Sequence, residues 1–250
     1  MTHPVEIIAR GLALAAEGHS ATEVGRLLGV PRGTVRDWMY GRVPRRARPA
    51  ASRRCGRCGD VHDFGRLPLV YVYLLGMYLG DGCLSAHRRE VFKLRISLDA
   101  RYPDIVDECR EAMRAVLPRS RVNHVDKRTW WELYSYSKSW PCLFPQHGPG
   151  KKHERRILLS PWQELLVLER PDLLLRGLLH SDGCRFVNTG RCGWAHPRYA
   201  FSNASRDIRT LFCAACGLLG LRWTASGSRT IYVSRKDDVA LLDLFVGPKR

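Results

Sequence analysis

Apolar and polar residues alternate without a break in the segment 92–98. Phe92, Leu94, Ile96 and Leu98 take one phase, and Lys93, Arg95 and Ser97 take the other. A period of two predicts a half-buried strand whose second set points away from the core. The spacing changes to that of a helix over 103–117, returns to strands near 121–125 and 130–137, and closes in a helix over 161–169. The same succession recurs downstream, with a strand at 199–202, a helix over 207–219, strands near 222–225 and 230–234, and a last helix over 236–245. Helix, strands, helix, strands and a closing helix, written twice, predict an α+β fold built from two similar halves.

Each half opens on a related stretch. The run Leu74-Leu75-Gly76-Met77-Tyr78-Leu79-Gly80-Asp81-Gly82-Cys83 aligns with Leu175-Arg176-Gly177-Leu178-Leu179-His180-Ser181-Asp182-Gly183-Cys184. Both are apolar helical patterns ending in Asp-Gly-Cys. Gly76 and Gly80 stand four apart on one helix face, and Gly177 and Ser181 do so on the other. Small side chains at that spacing let two backbones approach closely. A carboxylate at a helix C-terminus faces the negative end of the dipole, and two such groups brought together repel. A hard divalent cation such as Mg²⁺ would offset both costs, which makes Asp81 and Asp182 candidate metal ligands. For one copy alone, an Asp-Gly turn would suffice as an explanation.

The first segment, 5–41, is helical in pattern. Ile7, Ile8, Leu12, Leu14 and Ala15 form one stripe, and Gly18 ends it. Ser20 or Thr22 caps a second helix with Val24, Leu27 and Leu28 inward, and Gly29-Val30-Pro31 turns into a third. That helix carries Val35, Trp38 and Met39 on one side and Arg32, Thr34 and Arg36 on the other. A tether rich in Arg, Pro and Ala (42–54) follows, too polar to fold alone. Next comes Cys55-Gly56-Arg57-Cys58-Gly59-Asp60-Val61-His62. Cys55 and Cys58 are candidate Zn²⁺ ligands with His62 as a third, but no fourth donor is evident nearby, so a simple turn remains the alternative.

Charge sharpens the picture. Lys and Arg number 41 against 24 Asp and Glu, a formal net charge of +17 with a pI near 10.0. Such a surplus favours a polyanionic partner, above all nucleic acid, with acidic lipid as the competitor. The longest apolar stretch, 67–79, is broken by Pro68 and Gly76 and is shorter than the ~20 residues of a membrane helix. Nine scattered cysteines fit a reducing cytoplasm better than a disulfide framework. Cys213 and Cys216, in a helical pattern, read as core thiols. A basic cluster, Lys151, Lys152, His153, Arg155 and Arg156, joins the two halves and is expected to touch phosphate.

Two resemblances follow. The run SATEVGRLLGVPRGTVRDWMYGR resembles the helix-turn-helix of bacterial regulators and resolvase-type proteins, which implies DNA contact through Arg32, Thr34, Arg36 and Arg42. From about 67 to the C-terminus, the chain resembles the two-repeat, monomeric form of the LAGLIDADG homing endonucleases. The implied organisation is a helix-turn-helix domain (1–42), a basic linker with the candidate zinc knuckle (43–66), and an endonuclease-like domain with repeats at about 67–170 and 171–250. Each repeat is expected to run αββαββα. The two would pair about a pseudo-twofold axis through Gly76, Gly80, Gly177 and Ser181, and their sheets would form a saddle over double-stranded DNA. The resemblance implies Mg²⁺-dependent double-strand cleavage, with Asp81 and Asp182 holding the ions and Lys138 and Arg235 as nearby catalytic cations. It also implies DNA contact through Lys93, Arg95, Lys127, Arg128, Lys151, Lys152, Arg198 and Arg222. Arg176 and His180, inside the second motif, depart from the family pattern and put the tuning of that half in doubt. Two other readings stay open: a transcriptional regulator that uses the same platform without cutting, and an RNA-splicing maturase.

Overall fold

The computed structural model describes residues 3, 5–40, 55–190, 193 and 195–247. Arg42 and the whole of the tether (42–54) lie outside them. Three short helices come first: α1 (Val5–Ala16), α2 (Ala21–Leu28) and α3 (Arg32–Met39). Ser20 caps α2 through a reciprocal pairing with Glu23, and Gly29 closes it at φ 64°. Ile8, Val24, Val30, Val35 and Trp38 form a small core of their own. Two expectations fail here. Leu27 is 59% exposed and Met39 43%, because the buried stripe of such short helices holds only two or three side chains per helix.

The rest of the chain is built from two units with one plan. The first runs α4 (Val70–Asp81), β1 (Gly82–Ala86), β2 (Phe92–Asp99), α5 (Pro103–Val116), β3 (Val122–Asp126), β4 (Trp130–Ser137), a short α6 (Trp140–Leu143) and α7 (Pro161–Glu169). The second runs α8 (Pro171–Asp182), β5 (Gly183–Thr189), β6 (Ala195–Ser202), α9 (Arg206–Leu218), β7 (Thr224–Ser226), β8 (Thr230–Val233) and α10 (Lys236–Phe245). Each unit has one four-stranded sheet, ordered β1-β2-β4-β3 and β5-β6-β8-β7, antiparallel throughout. The alternation in β2 turns out as expected: Leu94, Ile96 and Leu98 are buried, and Lys93, Arg95 and Ser97 lie on the other face. Cys216 is buried and Cys213 half-buried in α9, as core thiols should be.

One core spans both units, and its axis is the contact of α4 with α8. Tyr71 to Leu79 of α4 are all buried, so this helix has no solvent face. Its backbone meets that of α8 directly. A Cβ added at Gly76 would lie 2.8 Å from the Leu174 carbonyl oxygen, and one at Gly177 would lie 2.2 Å from the Tyr73 carbonyl oxygen. One at Gly80 would lie 2.1 Å from the Ser181 hydroxyl oxygen. No side chain fits at the two central positions, so the interhelical distance is set by glycine. No helix among the described residues is long and apolar enough to cross a membrane.

Gly177→Ala should therefore cost at least about 3 kcal/mol, the upper end of ordinary overpacking, because the atom it meets is backbone and cannot rotate away. Urea unfolding should show it as a lowered midpoint. Gly33→Ala, where nothing lies within 4 Å, should leave that midpoint unchanged or raise it slightly.

Candidate active site

Asp81 and Asp182 are the last residues of α4 and α8, and the helix crossing delivers them to one place. Gly80 stands so close to α8 that its missing Cβ would be 3.0 Å from Oδ2 of Asp182. Asp81 in turn borders a cleft with Ser181, Gly183 and Cys184 of the other motif. Asp182 thus abuts the opposite helix, and Asp81 shares a cleft with residues of the other motif. The glycine after each acid has a steric role rather than a turn-forming one. Gly82 and Gly183 are extended, with φ −84° and −105°, yet a Cβ on either would fall 2.5 Å from Tyr78 Cα or 2.7 Å from Leu179 Cα. Helix passes into strand with no connecting residue, and the acid sits at the corner.

Two neighbours hold this corner. Asn203, just beyond β6, donates from Nδ2 to Asp182 Oδ2 at 2.6 Å. Lys152 reaches in from the segment joining the units. Its Nζ donates to the carbonyl oxygens of Tyr78 (2.5 Å), Leu79 (2.9 Å) and Gly80 (2.7 Å), capping the negative end of α4. Burial pushes its pKa down to about 8, while Asp182 and Asp81 pull it back up. This corrects the expectation that Lys152 is a surface phosphate contact, since the ammonium is turned inward onto the last carbonyls of α4. Sequence reasoning saw the basic cluster but had no means of telling which lysine turned in. Lys151 is exposed and sits 3.8 Å from Glu154.

The outward faces of the sheets carry the remaining cations. Cys83, Arg95 and Tyr134 form one cross-strand row beside Asp81, and Ser85, Lys93 and Tyr136 form the next. Lys93 donates to Glu132 at 2.7 Å and lies over the Tyr134 ring. Arg95 approaches Glu132 at 4.0 Å and donates to the Cys83 sulfur. Glu132 was not anticipated, and it holds both cations on one acid. Among the described residues, the Nε of Arg95 and that of Arg198 have no hydrogen-bond partner. Arg198 lies between the rings of Phe186 and Tyr232 on the second sheet. Lys127 and Arg128 are exposed at the tip of the β3–β4 hairpin, and Arg32 and Arg36 are exposed on α3, with Thr34 half-buried beside them.

The register removes two expected catalytic cations. Gly82 pairs with Ile96, and Ile96 with Leu133, so Lys138 lies five residues farther along β4 than the row next to Asp81. At about 3.3 Å per residue, that is roughly 16 Å. Lys138 instead approaches Glu90, at 4.0 Å. In the second unit Gly183, Phe201 and Ile231 form the equivalent row, which puts Arg235 four residues, roughly 13 Å, away at the start of α10. The strand ends matched by context, but β4 and β8 run in the same direction as β1 and β5, so they end far from the acids at which β1 and β5 begin. Arg222 precedes β7, and its guanidinium makes a two-pronged pair with Asp238 of α10, at 2.9 and 2.8 Å. It is an internal tie rather than a free DNA contact.

Arg176 and His180 are taken up by packing contacts, although His180 also lines the cleft beside Asp81. Arg176 pairs with Glu108 of α5 and donates to the carbonyl oxygens of Phe245 and Val246. His180 is buried between the Tyr73 hydroxyl (3.2 Å) and the Val246 carbonyl oxygen (3.3 Å). Both fasten α8 to its neighbours.

A second cluster lies apart from the acids. Cys55, Cys58 and His62 gather with Cys142 of α6, and their donor atoms all lie within 4.8 Å of one another. Burial keeps the pKa of His62 below its ordinary value, which favours the neutral ring. The fourth donor comes from 80 residues and more down the chain (Cys142 against Cys55, Cys58 and His62), so a local motif could not reveal it.

If Lys152 supplies the cation at this corner, Lys152→Met should lower stability by roughly 1.5–3 kcal/mol in a urea titration, the value of a charge-assisted hydrogen bond lost from buried partners. The variant should also recover more of its melting temperature on addition of Mg²⁺ than the wild type gains.

No protein-family model matches the sequence, and no curated protein matches it. Solved structures do. The crystal structure of I-DmoI in complex with DNA and Mn is 13% identical with a TM-score of 0.48, covering 71% of this chain and 96% of that one. The N-terminal LAGLIDADG domain of DUF199/WhiA is 14% identical with a TM-score of 0.45, covering 75% of this chain and 89% of that one. The LAGLIDADG meganuclease I-AabMI, bound to uncleaved DNA, is 14% identical with a TM-score of 0.44, covering 70% and 82%.

Proposed function

We propose that this chain is a site-specific DNA endonuclease of the two-repeat LAGLIDADG type, with its three N-terminal helices acting as a helix-turn-helix that adds a second DNA contact. The observation that carries the reading is the meeting of Asp81 and Asp182 at the ends of two glycine-packed helices, beside sheet faces that bear Lys93, Arg95 and Arg198. The two matched units are read as related by an approximate twofold axis, which suits a duplex whose strands are themselves so related. The two sheets would sit on the major groove, and α3 would present Arg32, Thr34 and Arg36 to a neighbouring one.

The donor set suits a hard cation. Carboxylates and carbonyl oxygens are the ligands Mg²⁺ prefers, and the corner already holds a positive group against them, the Lys152 ammonium. Asp81 and Asp182 would hold the metal. Once bound there, Mg²⁺ would lower the pKa of a water and offset charge growing on the phosphate. The protein's own groups supply the rest. Asn203 orients Asp182, Lys152 balances the two acids, and Arg95 lies one row from Asp81, where it can meet a phosphate oxygen once DNA displaces it from Glu132.

The halves are unequal. The row Cys83–Arg95–Tyr134 corresponds to Cys184–Ala200–Tyr232, so the second half has no cation at this place. The half with Arg95 should cut its strand first. One observation favours a non-cleaving regulator instead: the Lys152 ammonium already caps the last carbonyls of α4 at this corner. The two readings part on one assay, in which the pure full-length chain is incubated with a plasmid library and Mg²⁺. The endonuclease gives nicked circles before linear product, and Asp81→Asn or Asp182→Asn lowers the rate at least about 100-fold without weakening binding in Ca²⁺. Arg95→Ala removes the lead of the first strand. Protection of DNA that is the same in EDTA and in Mg²⁺, with no cut at all, would establish the regulator. In either case, binding should fall steeply with salt.

A further inference from the structure

We propose that Cys55, Cys58, His62 and Cys142 bind one structural Zn²⁺, which pins the segment ahead of α4 to α6. Three thiols and an imidazole are a complete, closed zinc donor set that leaves no position for substrate. The spacing fits one ion. The Cys142 sulfur lies 3.6 Å from that of Cys55 and 3.8 Å from that of Cys58. Zinc–sulfur bonds of about 2.3 Å in a tetrahedron put two sulfurs roughly 3.8 Å apart. The His62 Nε2 lies 3.0 Å from the Cys58 sulfur, somewhat inside the roughly 3.5 Å of a sulfur–nitrogen edge.

The local backbone is shaped for the metal. Gly59 turns at φ 77°, its N–H donates to the Cys55 carbonyl at 2.9 Å, and the Cys55 N–H donates to the Asp60 carbonyl at 2.7 Å. The amides of Arg57 and Cys58 point at the Cys55 sulfur. Such a turn would have little reason to gather two sulfurs on one side unless something bound them.

The far ligand is held in place independently. The Tyr71 hydroxyl donates to the Leu143 carbonyl at 2.5 Å, and Gln163 donates to that hydroxyl, so α6 is fixed by the main core next to Cys142. Ser139, at the start of α6, hydrogen-bonds the Asp60 carboxylate. His62 stacks on Phe64, which stacks on Trp162 of α7. A disulfide is the only other use for such close thiols, and it would employ two of the three and leave His62 without a role. The zinc ties the segment 55–62 to the first unit. This inference does not depend on whether the chain cuts DNA.

The full-length protein, purified without chelator and then dialysed, should contain one zinc per chain by elemental analysis. Zinc-edge X-ray absorption should show three sulfurs and one nitrogen. Cobalt in place of zinc should give the visible bands of a tetrahedral site together with thiolate charge-transfer bands, and Cys142→Ser should abolish both. Should Cys142→Ser fail to fold, the absorption spectrum of the wild type decides alone. Cys213→Ser should keep the full zinc content. A chain with no zinc, one joined by a Cys55–Cys142 disulfide in non-reducing peptide mapping, or one whose zinc has fewer than three sulfurs would overturn the proposal.

Discussion

Direct backbone contact between α4 and α8 is the constraint from which the rest follows. Where Gly177 faces the Tyr73 carbonyl, there is room for a hydrogen and nothing more. The two helices therefore cross at one depth, and whatever stands at their C-terminal ends is brought together. A pair of larger residues at these positions would still allow each unit to fold its sheet, but the acids would separate. Packing and chemistry are here a single feature: the glycines that stabilise the core are also what collects the charge.

Collecting two carboxylates at the negative ends of two helices is costly, and the molecule offsets that cost in more than one way. Lys152 spans the last carbonyls of α4, and Asn203 takes an oxygen of Asp182. The arrangement is lopsided, as are the rows of side chains on the sheets beside it. The duplicated plan fixes where the acids go, and the two halves have since diverged in what surrounds them.

Much of this was legible in the chain itself. The alternation in β2, the paired Asp-Gly-Cys motifs and the four-residue spacing of small side chains are local patterns, and local patterns report secondary structure and packing faces. Helices α7 and α10 and strand β4 fall where the periodicity put them. What escaped was set by long-range contact. Lys138 and Arg235 were matched by their place after a strand, but β4 and β8 run away from the acids, as β1 and β5 do. Lys152 and Arg155 look alike in sequence, and only the fold turns one to α4 and leaves the other donating to Gln146 and Gly150 carbonyls. Arg222 sat in a basic-looking context until its partner Asp238 was seen. Cys142 shows the same limit most plainly, since nothing near it suggests a ligand until the chain has folded back on Cys55 and Cys58.

The central claim is that two helix ends share one cation-binding corner. Anomalous diffraction from crystals of the protein on a duplex that it protects, soaked in Mn²⁺, examines that corner directly. The account predicts an anomalous peak in contact with oxygens of both Asp81 and Asp182. Carboxylates found apart, or a corner still held by Lys152 alone at saturating Mn²⁺, would contradict it.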